Sequence, residues 1–124
     1  MGIKVLCIED NPLNMRLIRK LVDSFGYHSI CASDGETGLA LAHSEQPDII
    51  LTDVNLPDID GFEVARILKE DERTRHIPLV AITANAMHGD RDQCLDAGCD
   101  AYIAKPIARQ ELRNILAHYA PNTH

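Results

Sequence analysis

The sequence predicts an α/β fold in which five parallel strands alternate with five helices that cover both faces of the sheet. Three observations support this. Short, almost continuously apolar runs recur along the 124 residues, as in strands that are buried on both faces. Segments with apolar residues at helical spacing separate these runs. Glycine and proline stand at the boundaries, and the alternation favours a doubly wound parallel sheet because its crossovers are right-handed.

Five segments are predicted as strands. Four of them are apolar almost throughout, whereas one is more polar and therefore suits an edge of the sheet. The apolar segments are Ile3–Ile8, Ile49–Thr52, Leu79–Thr83 and Ala101–Ala104, and the edge segment is Tyr27–Ala32.

The intervening segments are predicted as helices, and apolar stripes and capping residues mark their limits. A stripe after the first strand contains Leu17, Ile18, Leu21, Val22 and Phe25, and one near the C-terminus contains Leu112, Ile115, Leu116 and Tyr119. The predicted boundary residues are Gly26 and Gly98 after helices, Pro47 and Pro78 before strands, Ser33 or Asp34 at the start of the second helix and Asp60 at the start of the third.

Composition and charge narrow the class of protein. The chain is 45% hydrophobic and 25% charged, as in one globular domain, here residues 1–124 with a core at 3–119 and a short tail. The net charge of −7 disfavours nucleic-acid binding. No apolar run of about 18 residues and no signal-peptide pattern occurs, so we expect a cytoplasmic protein. The four cysteines lack C-x-x-C spacing and are expected to be reduced, structural thiols.

Reactive side chains follow the predicted strands. Glu9 and Asp10 follow the first strand, Asp53 the third and Lys105 the fifth, while Thr83 ends the fourth. The carboxyl ends of parallel strands meet at one edge of the sheet, where ligands bind. We therefore expect three carboxylates, a hydroxyl and an ammonium group to converge there.

This set of groups suits phosphoryl transfer to Asp53. Its carboxylate is ionised at neutral pH and can attack phosphorus without a general base. A divalent cation would offset the repulsion, and Mg²⁺ takes one or two carboxylates, waters and a phosphate oxygen. The expected direct ligands are Asp10, Asp53 and the backbone carbonyl of Asn55, whereas Glu9 is expected to act through water or a hydrogen bond.

Two further groups complete the expected site. Lys105 would supply a fixed positive charge to the phosphoryl oxygens, and Thr83 would donate a hydroxyl hydrogen bond. Phosphoryl transfer requires little beyond positioning and charge stabilisation, so these groups are sufficient.

Acidic residues after strands can also serve structural roles. Asp10 or Asn11 could cap the first helix. Asp58 and Asp60 lie near Asp53, but turn and cap roles suit their positions deeper in the loop. The joint placement of acids, threonine and lysine at four strand ends favours the functional interpretation.

Four motifs resemble those of the response-regulator receiver family. The resemblance extends from Lys4 to about Tyr119, and it implies a flavodoxin-like sheet with strand order 2-1-3-4-5. Residues 84–100 resemble two subgroups, the DivK-type stand-alone regulators and the receivers of hybrid histidine kinases. The four motifs are Val5–Asn11, Ile50–Gly61, Ala81–Ala84 and Tyr102–Ile107.

The resemblance implies a two-component phosphorelay regulator. The donor would be the phosphohistidine of a histidine kinase or of a histidine phosphotransfer protein, and the chain's own catalysis would be limited to self-phosphorylation and autodephosphorylation. The Lys105–Pro106 peptide is expected to be cis. The implied residues are the acceptor Asp53, the acidic metal pair Glu9 and Asp10, the switch residues Thr83 and Tyr102, and the phosphate contact Lys105.

Phosphorylation must be read by a partner, because no output domain is predicted. The segment from Met87 to Ala97 has the weakest apolar stripe, and weak packing permits conformational change at low cost. We expect Asn85–Ala97, Tyr102 and the last helix to form the downstream partner surface. The first helix, beginning at Asn11, is the expected donor surface. We expect a stand-alone regulator that is a monomer or a weak, phosphorylation-dependent dimer.

Three other classes share parts of this pattern. A flavin-binding electron carrier would need a Ser/Thr/Gly-rich phosphate loop after the first strand, where Glu9 and Asp10 would repel phosphate. An aspartate-nucleophile phosphatase would usually carry an acid two residues after its nucleophile, where this chain has Asn55. A receiver that serves only as a binding scaffold would not need Asp53, Thr83 and Lys105 together.

Overall fold

The computed structural model describes residues 2–84, 89 and 91–119. Strands and helices alternate along this part of the chain, as predicted. The strands are β1 (Lys4–Ile8), β2 (His28–Ala32), β3 (Ile49–Asp53), β4 (Leu79–Thr83) and β5 (Ala101–Ala104). The helices are α1 (Pro12–Ser24), α2 (Gly35–Glu45), α3 (Gly61–Glu70), α4 (Arg91–Ala97) and α5 (Arg109–Tyr119). The expected beginning of the fourth helix, at Met87 and His88, lies outside the described residues.

The strands form one parallel sheet in the order β2-β1-β3-β4-β5. This confirms the predicted fold and places the more polar strand at an edge. Ile8 of β1 is in register with Thr52 of β3, and Asp53 is in register with Ile82 of β4. The carboxyl ends of the three central strands therefore lie side by side.

Two apolar layers cover the sheet. Leu6, Ile8 and Ile50 pack with residues of α2, α3 and α4 on one face. Val5 and Leu51 pack with residues of α1 and α5 on the other. Alternate residues of a strand point to opposite faces, so a strand that is covered on both sides must be apolar throughout.

Leu17 departs from the predicted core stripe. Ile18, Leu21 and Val22 are buried, but the Leu17 residue is 44% exposed. The apolar positions 17, 18, 21 and 22 together span more of the helix circumference than the sheet can cover, so Leu17, at one margin of the stripe, remains at the surface.

The predicted boundaries are close to the observed ones. Asn11 caps α1, Asp34 caps α2 in preference to Ser33, and Asp60 caps α3. Gly26 and Gly98 have φ angles of 91° and 95°, which glycine adopts without a steric penalty. Three strands differ from prediction by one residue at an end, because hydrogen bonding rather than hydrophobicity sets the limit of a strand.

Two general expectations are also addressed by the structure. All four cysteines are free thiols, and burial raises the pKa of Cys99 to about 12, which keeps it protonated. Among the described residues, no helix has the length and apolar character needed to cross a bilayer.

Candidate functional site

Three acidic side chains meet where β1 and β3 end. Asp53 is the last residue of β3, and Glu9 and Asp10 follow β1 directly. One carboxylate oxygen from each lies within 4.8 Å of the others. Glu9 and Asp53 are each only 2% exposed, whereas Asp10 is exposed to solvent. The site is thus a partly buried acidic cluster that opens on the Asp10 side.

Lys105 is the cation in contact with this cluster. Its Nζ donates a hydrogen bond to Asp53 Oδ2 at 3.0 Å and lies 3.4 Å from Glu9 Oε1. Partial burial lowers the pKa of Lys105, but the hydrogen bond and charge of Asp53 outweigh this effect, so that the pKa is raised. Lys105 therefore stays protonated at neutral pH.

Lys105 alone leaves one carboxylate oxygen of Glu9 without a hydrogen bond in the described part of the chain. Glu9 Oε2 accepts a hydrogen bond from the backbone N–H of Asn11 at 3.2 Å, but Glu9 Oε1 is buried and accepts none from the residues that the structure describes. The contact with Lys105 is an ion pair without hydrogen-bond geometry. Burial, followed by the neighbouring Asp53, raises the pKa of Glu9 to about 7. A buried polar atom without a donor is costly, and a hydrated hard cation in the cluster would offset its negative charge and would supply a water that could donate to it.

The residues present therefore fit Mg²⁺. Asn55 lies two residues after Asp53, and its backbone N–H donates to Asp53 Oδ1 at 3.2 Å. This hydrogen bond holds the carboxylate of Asp53 against the start of the following loop. The carboxylates of Asp10 and Asp53 and the carbonyl of Asn55 are the groups that would hold the ion.

The ends of β4 and β5 supply the remaining predicted residues. Thr83 is fully buried, and its carbonyl accepts a hydrogen bond from the backbone N–H of Lys105 at 2.8 Å. This bond continues the pairing of β4 with β5 and brings Lys105 back toward Asp53. The Lys105–Pro106 peptide is cis, as expected. Tyr102 is half-buried and packs against the apolar layer that includes α4.

Gly61 is a site residue that sequence reasoning treated only as a boundary. Its backbone N–H donates to the carbonyl of Val54 at 2.9 Å. A Cβ at this position would lie 2.3 Å from the carbonyl oxygen of Asp53 and 2.5 Å from the Cα of Val54. Only glycine therefore permits α3 to begin this close to the predicted acceptor. The Asp60-Gly61 pair signals a turn, but not this contact.

Asp58 and Asp60 have the capping roles predicted for them. Asp60 Oδ1 accepts a hydrogen bond from the N–H of Phe62 at 2.7 Å within α3. Asp58 instead caps a different helix, accepting from the N–H groups of Gly35 at 2.8 Å and Glu36 at 2.9 Å. No local pattern in the sequence signals that second connection, because it joins segments far apart in the chain.

Mg²⁺ binding is expected to weaken as the pH falls through about 7, because Glu9 then takes up a proton that reduces the negative charge of the site. Without metal, the raised pKa has the opposite consequence for folding. The stability that Glu9 contributes is complete below its ordinary pKa of 4.5 and is lost as the pH rises through about 7.

Calorimetric titration of Mg²⁺ across this pH range, on the wild type and on Glu9→Gln, measures the effect. We expect the wild-type affinity to fall by up to about tenfold per pH unit below the pKa, and the variant to lose most of this dependence. An unchanged pH profile in Glu9→Gln would show that another group controls the affinity.

Comparison with known proteins identifies relatives along most of the chain. The family model for the response regulator receiver domain matches residues 5–117. The polar-differentiation response regulator DivK of Brucella ovis is 48% identical over 104 residues, which cover 84% of this chain and 85% of that protein. The DivK protein of Brucella anthropi is 47% identical over 104 residues, with the same coverage.

Solved structures show the same fold. The receiver domain of sensor histidine kinase PA1611 from Pseudomonas aeruginosa PAO1 matches with a TM-score of 0.90 and 39% identity, covering 96% of this chain and 98% of that one. That structure has a magnesium ion coordinated in its active-site cleft. Chemotaxis protein CheY4 of Vibrio cholerae matches with a TM-score of 0.89 over 96% and 99% of the two chains, and at 24% identity it supports the fold alone.

Proposed function

The chain belongs to the response regulator receiver family, and from this premise we propose that Asp53 is the residue that accepts the phosphoryl group. The protein is a phosphorelay signalling module, and the proposal concerns which of its residues act. One observation carries it. Asp53 is the buried carboxylate that ends central strand β3, pairs with Lys105 at 3.0 Å and lies within 4.8 Å of Glu9 and Asp10.

In the proposed reaction, a carboxylate oxygen of Asp53 forms a bond to phosphorus while the bond from phosphorus to the donor's imidazole nitrogen breaks. The electron pair of that bond remains on the imidazole. Lys105, already paired with Asp53, supplies positive charge to the phosphoryl oxygens, and Thr83 supplies a hydroxyl donor. Mg²⁺, held by Asp10, Asp53 and the Asn55 carbonyl, would neutralise charge on the carboxylates and the phosphoryl group.

Autodephosphorylation is part of the same proposal. Water attacks phosphorus and gives up a proton to solvent, and the bond to the Asp53 oxygen breaks with its electron pair remaining on that oxygen. The Asp53 carboxylate is thereby regenerated and inorganic phosphate leaves. Asn55 and Asn85 are the proposed residues beside the path of the water, and Asn85 lies outside the described residues. A phosphorylated protein that loses no phosphate after removal of the donor would contradict this step.

We propose that Thr83 and Tyr102 transmit the phosphorylated state. Thr83 would move toward the phosphoryl group, and Tyr102, which is half-buried beside α4, would change rotamer in response. This would alter the surface formed by residues 85–97, Tyr102 and α5, where the downstream protein is proposed to bind. Of this segment, residues 85–88 and 90 lie outside the described part of the chain.

The donor is proposed to bind on α1. Leu13 is 75% exposed and Leu17 is 44% exposed, although both are apolar. A groove of about 310 Å³ lies between α1 and the loop that carries Lys105. Its lining residues are Asn14, Leu17, Lys105, Pro106 and Ile107. A donor seated here would contact an apolar surface beside the lysine that contacts Asp53.

The two proposed surfaces can be separated with one pair of substitutions. Leu95 on α4 is 57% exposed and thus provides a match for Leu17. We expect Leu17→Glu to slow transfer from a phosphohistidine donor about fivefold to tenfold while leaving downstream binding intact, as for loss of an apolar interface anchor. Leu95→Glu should instead weaken binding of the downstream protein and leave the rate of transfer from the donor intact. Both rates and affinities can be measured with purified proteins, and equal effects of the two variants would contradict the assignment.

We also propose that the protein is cytoplasmic. Four free thiols suit a reducing compartment, in agreement with a cytoplasmic protein. We propose a monomer or a weak dimer that forms upon phosphorylation. Sedimentation of the phosphorylated and unphosphorylated protein tests this, and a stable dimer in both states would exclude it.

The central experiment is intact mass spectrometry after incubation with Mg²⁺ and a small-molecule phosphodonor. We expect one phosphate adduct that forms with Mg²⁺, is absent with a chelator, and is lost in base, because an acyl phosphate is base-labile. No adduct under any of these conditions, with a phosphohistidine donor also tried, would overturn the proposal and favour a binding scaffold.

A further inference from the structure

The beginning of α2 is capped twice, and one of the caps comes from the loop that follows Asp53. The N–H groups of Gly35 and Glu36 donate to Asp58 Oδ1 and Oδ2 at 2.8 and 2.9 Å. The N–H of Thr37 donates to Asp34 Oδ1 at 2.7 Å. These first amides of a helix have no partner within the helix, so the two carboxylates together satisfy them.

The Asp58 contact is electrostatically favourable. A carboxylate at a helix N-terminus interacts with the positive end of the helix dipole, and bonds from N–H groups to a charged acceptor are stronger than those to a neutral one. The N–H groups of Glu36 and Gly35 lower the pKa of Asp58, so it remains ionised across the neutral range.

The surrounding packing keeps the loop close to α2. A Cβ on Gly35 would lie 3.1 Å from the Val64 side chain, 3.2 Å from Ile59 and 3.3 Å from Asp58 Oδ1. Gly35 itself is buried. The loop therefore meets α2 at close contact, and a larger residue at Gly35 would displace it.

The same loop is attached to the site at both of its ends. At the first end, the N–H of Asn55 donates to Asp53 Oδ1 at 3.2 Å. At the other end, the N–H of Gly61 donates to the Val54 carbonyl at 2.9 Å. Asp58 lies between these two attachments, and its carboxylate accepts the hydrogen bonds from α2 that hold the middle of the loop to that helix.

We propose that Asp58 is a positioning residue for the phospho-acceptor site. Asp58 fixes the 54–60 loop to α2 and thereby holds the Asn55 carbonyl where Mg²⁺ binds. This inference rests on the proposed function for the identity of the metal ligands. Residues that orient metal ligands without touching the ion commonly determine its affinity. Asp58 would act in this way through the backbone of the loop.

A matched pair of variants separates positioning from helix capping. Asp58→Ala and Asp34→Ala each remove a carboxylate cap from the same helix, but only Asp58 connects that helix to the loop. We expect Asp58→Ala to weaken Mg²⁺ binding by about tenfold in calorimetric titration, at the lower end of the effect of losing a group that orients metal ligands. Asp34→Ala should retain the wild-type affinity, although it also reduces stability.

Hydrogen exchange provides a readout that does not depend on metal or on phosphorylation. We expect the amides of residues 54–60 to exchange faster in Asp58→Ala than in Asp34→Ala, whereas both variants increase exchange at the beginning of α2. Asp58→Asn, whose amide oxygen can still accept a hydrogen bond, should restore part of the Mg²⁺ affinity and of the protection.

The outcomes distinguish this inference from the proposed function. If the wild type binds no Mg²⁺ and forms no adduct, the proposed function fails, and the exchange data still show whether Asp58 holds the loop. If the wild type binds Mg²⁺ but the two alanine variants have equal affinity and equal loop exchange, Asp58 is a helix cap only and the inference is overturned.

Discussion

Replacing Asp53 with asparagine is expected to abolish the phosphate adduct, with a loss of at least about a thousandfold in the rate of phosphorylation. The neutral amide lacks the nucleophilic oxygen that forms the bond to phosphorus. Its single amide oxygen can still accept one of the two hydrogen bonds that Lys105 and Asn55 donate to Asp53, whereas its NH₂ group can accept neither. The substitution thus removes the nucleophile while changing the shape of the side chain little.

The stability of Asp53→Asn makes this result interpretable. Asp53 is one of the groups that raise the pKa of Glu9, so removing its charge relieves repulsion in the metal-free cluster. The substitution also gives up the charge pairing with Lys105, so the two effects oppose each other, and we expect the free energy of unfolding without Mg²⁺ to stay close to that of the wild type. A denaturant titration of the same sample verifies that a loss of phosphorylation does not come from unfolding.

Asp48→Asn provides the control. Asp48 also accepts a backbone hydrogen bond, from the N–H of Lys4 at 2.8 Å, but it lies at the opposite end of the sheet. We expect this variant to form the adduct as the wild type does. An adduct that persists in Asp53→Asn, mapped by peptide mass analysis to Asp10 or another acid, would show that the acceptor has been assigned to the wrong residue.

Gly61→Ala is expected to have the largest effect on stability. The new methyl carbon would lie 2.3 Å from the Asp53 carbonyl oxygen and 2.5 Å from the Val54 Cα. Both are backbone atoms, so no rotamer change can relieve the overlap, and either β3 or α3 must move. We expect a loss of at least about 2 kcal/mol in the free energy of unfolding, within or above the usual range for overpacking.

The same displacement should affect function, because it moves Asp53 relative to Lys105. We expect the Gly61→Ala variant to be phosphorylated more slowly than the wild type even without denaturant, where the variant is folded. Gly2→Ala is the matched control, since its Cβ would approach only His28, at an ordinary 3.9 Å. If urea unfolding shows Gly61→Ala to be as stable as Gly2→Ala, the claim that α3 lies too close to the acceptor strand to accommodate a Cβ would be contradicted.

Most of the fold could be predicted because its signals are local. The apolar runs at 49–52 and 79–83 became the central strands β3 and β4, since a strand covered on both faces needs apolar residues throughout. The glycines at 26 and 98 have the positive φ angles expected after helices. Where prediction was wrong, as at Leu17, burial depended on how far the sheet extends beneath the helix.

Much of the candidate site followed from the same reasoning. Residues after parallel strands share one edge of the sheet, so Glu9, Asp10 and Asp53 were expected together, and they lie within 4.8 Å. The placement of Lys105 needed the pairing of β4 with β5, which brings its Nζ to 3.0 Å from Asp53.

The order of the elements, the parallel sheet and the set of reactive groups could therefore be predicted from the amino-acid sequence, because apolar periodicity, capping residues and strand ends are properties of neighbouring residues. Three further features became visible only in the folded protein. They are the buried Glu9 oxygen that has no donor among the described residues, the glycine contact of α3 with the acceptor strand, and the hydrogen bonds from α2 to Asp58. Each depends on the distance between segments remote in the chain, and that distance is set by packing.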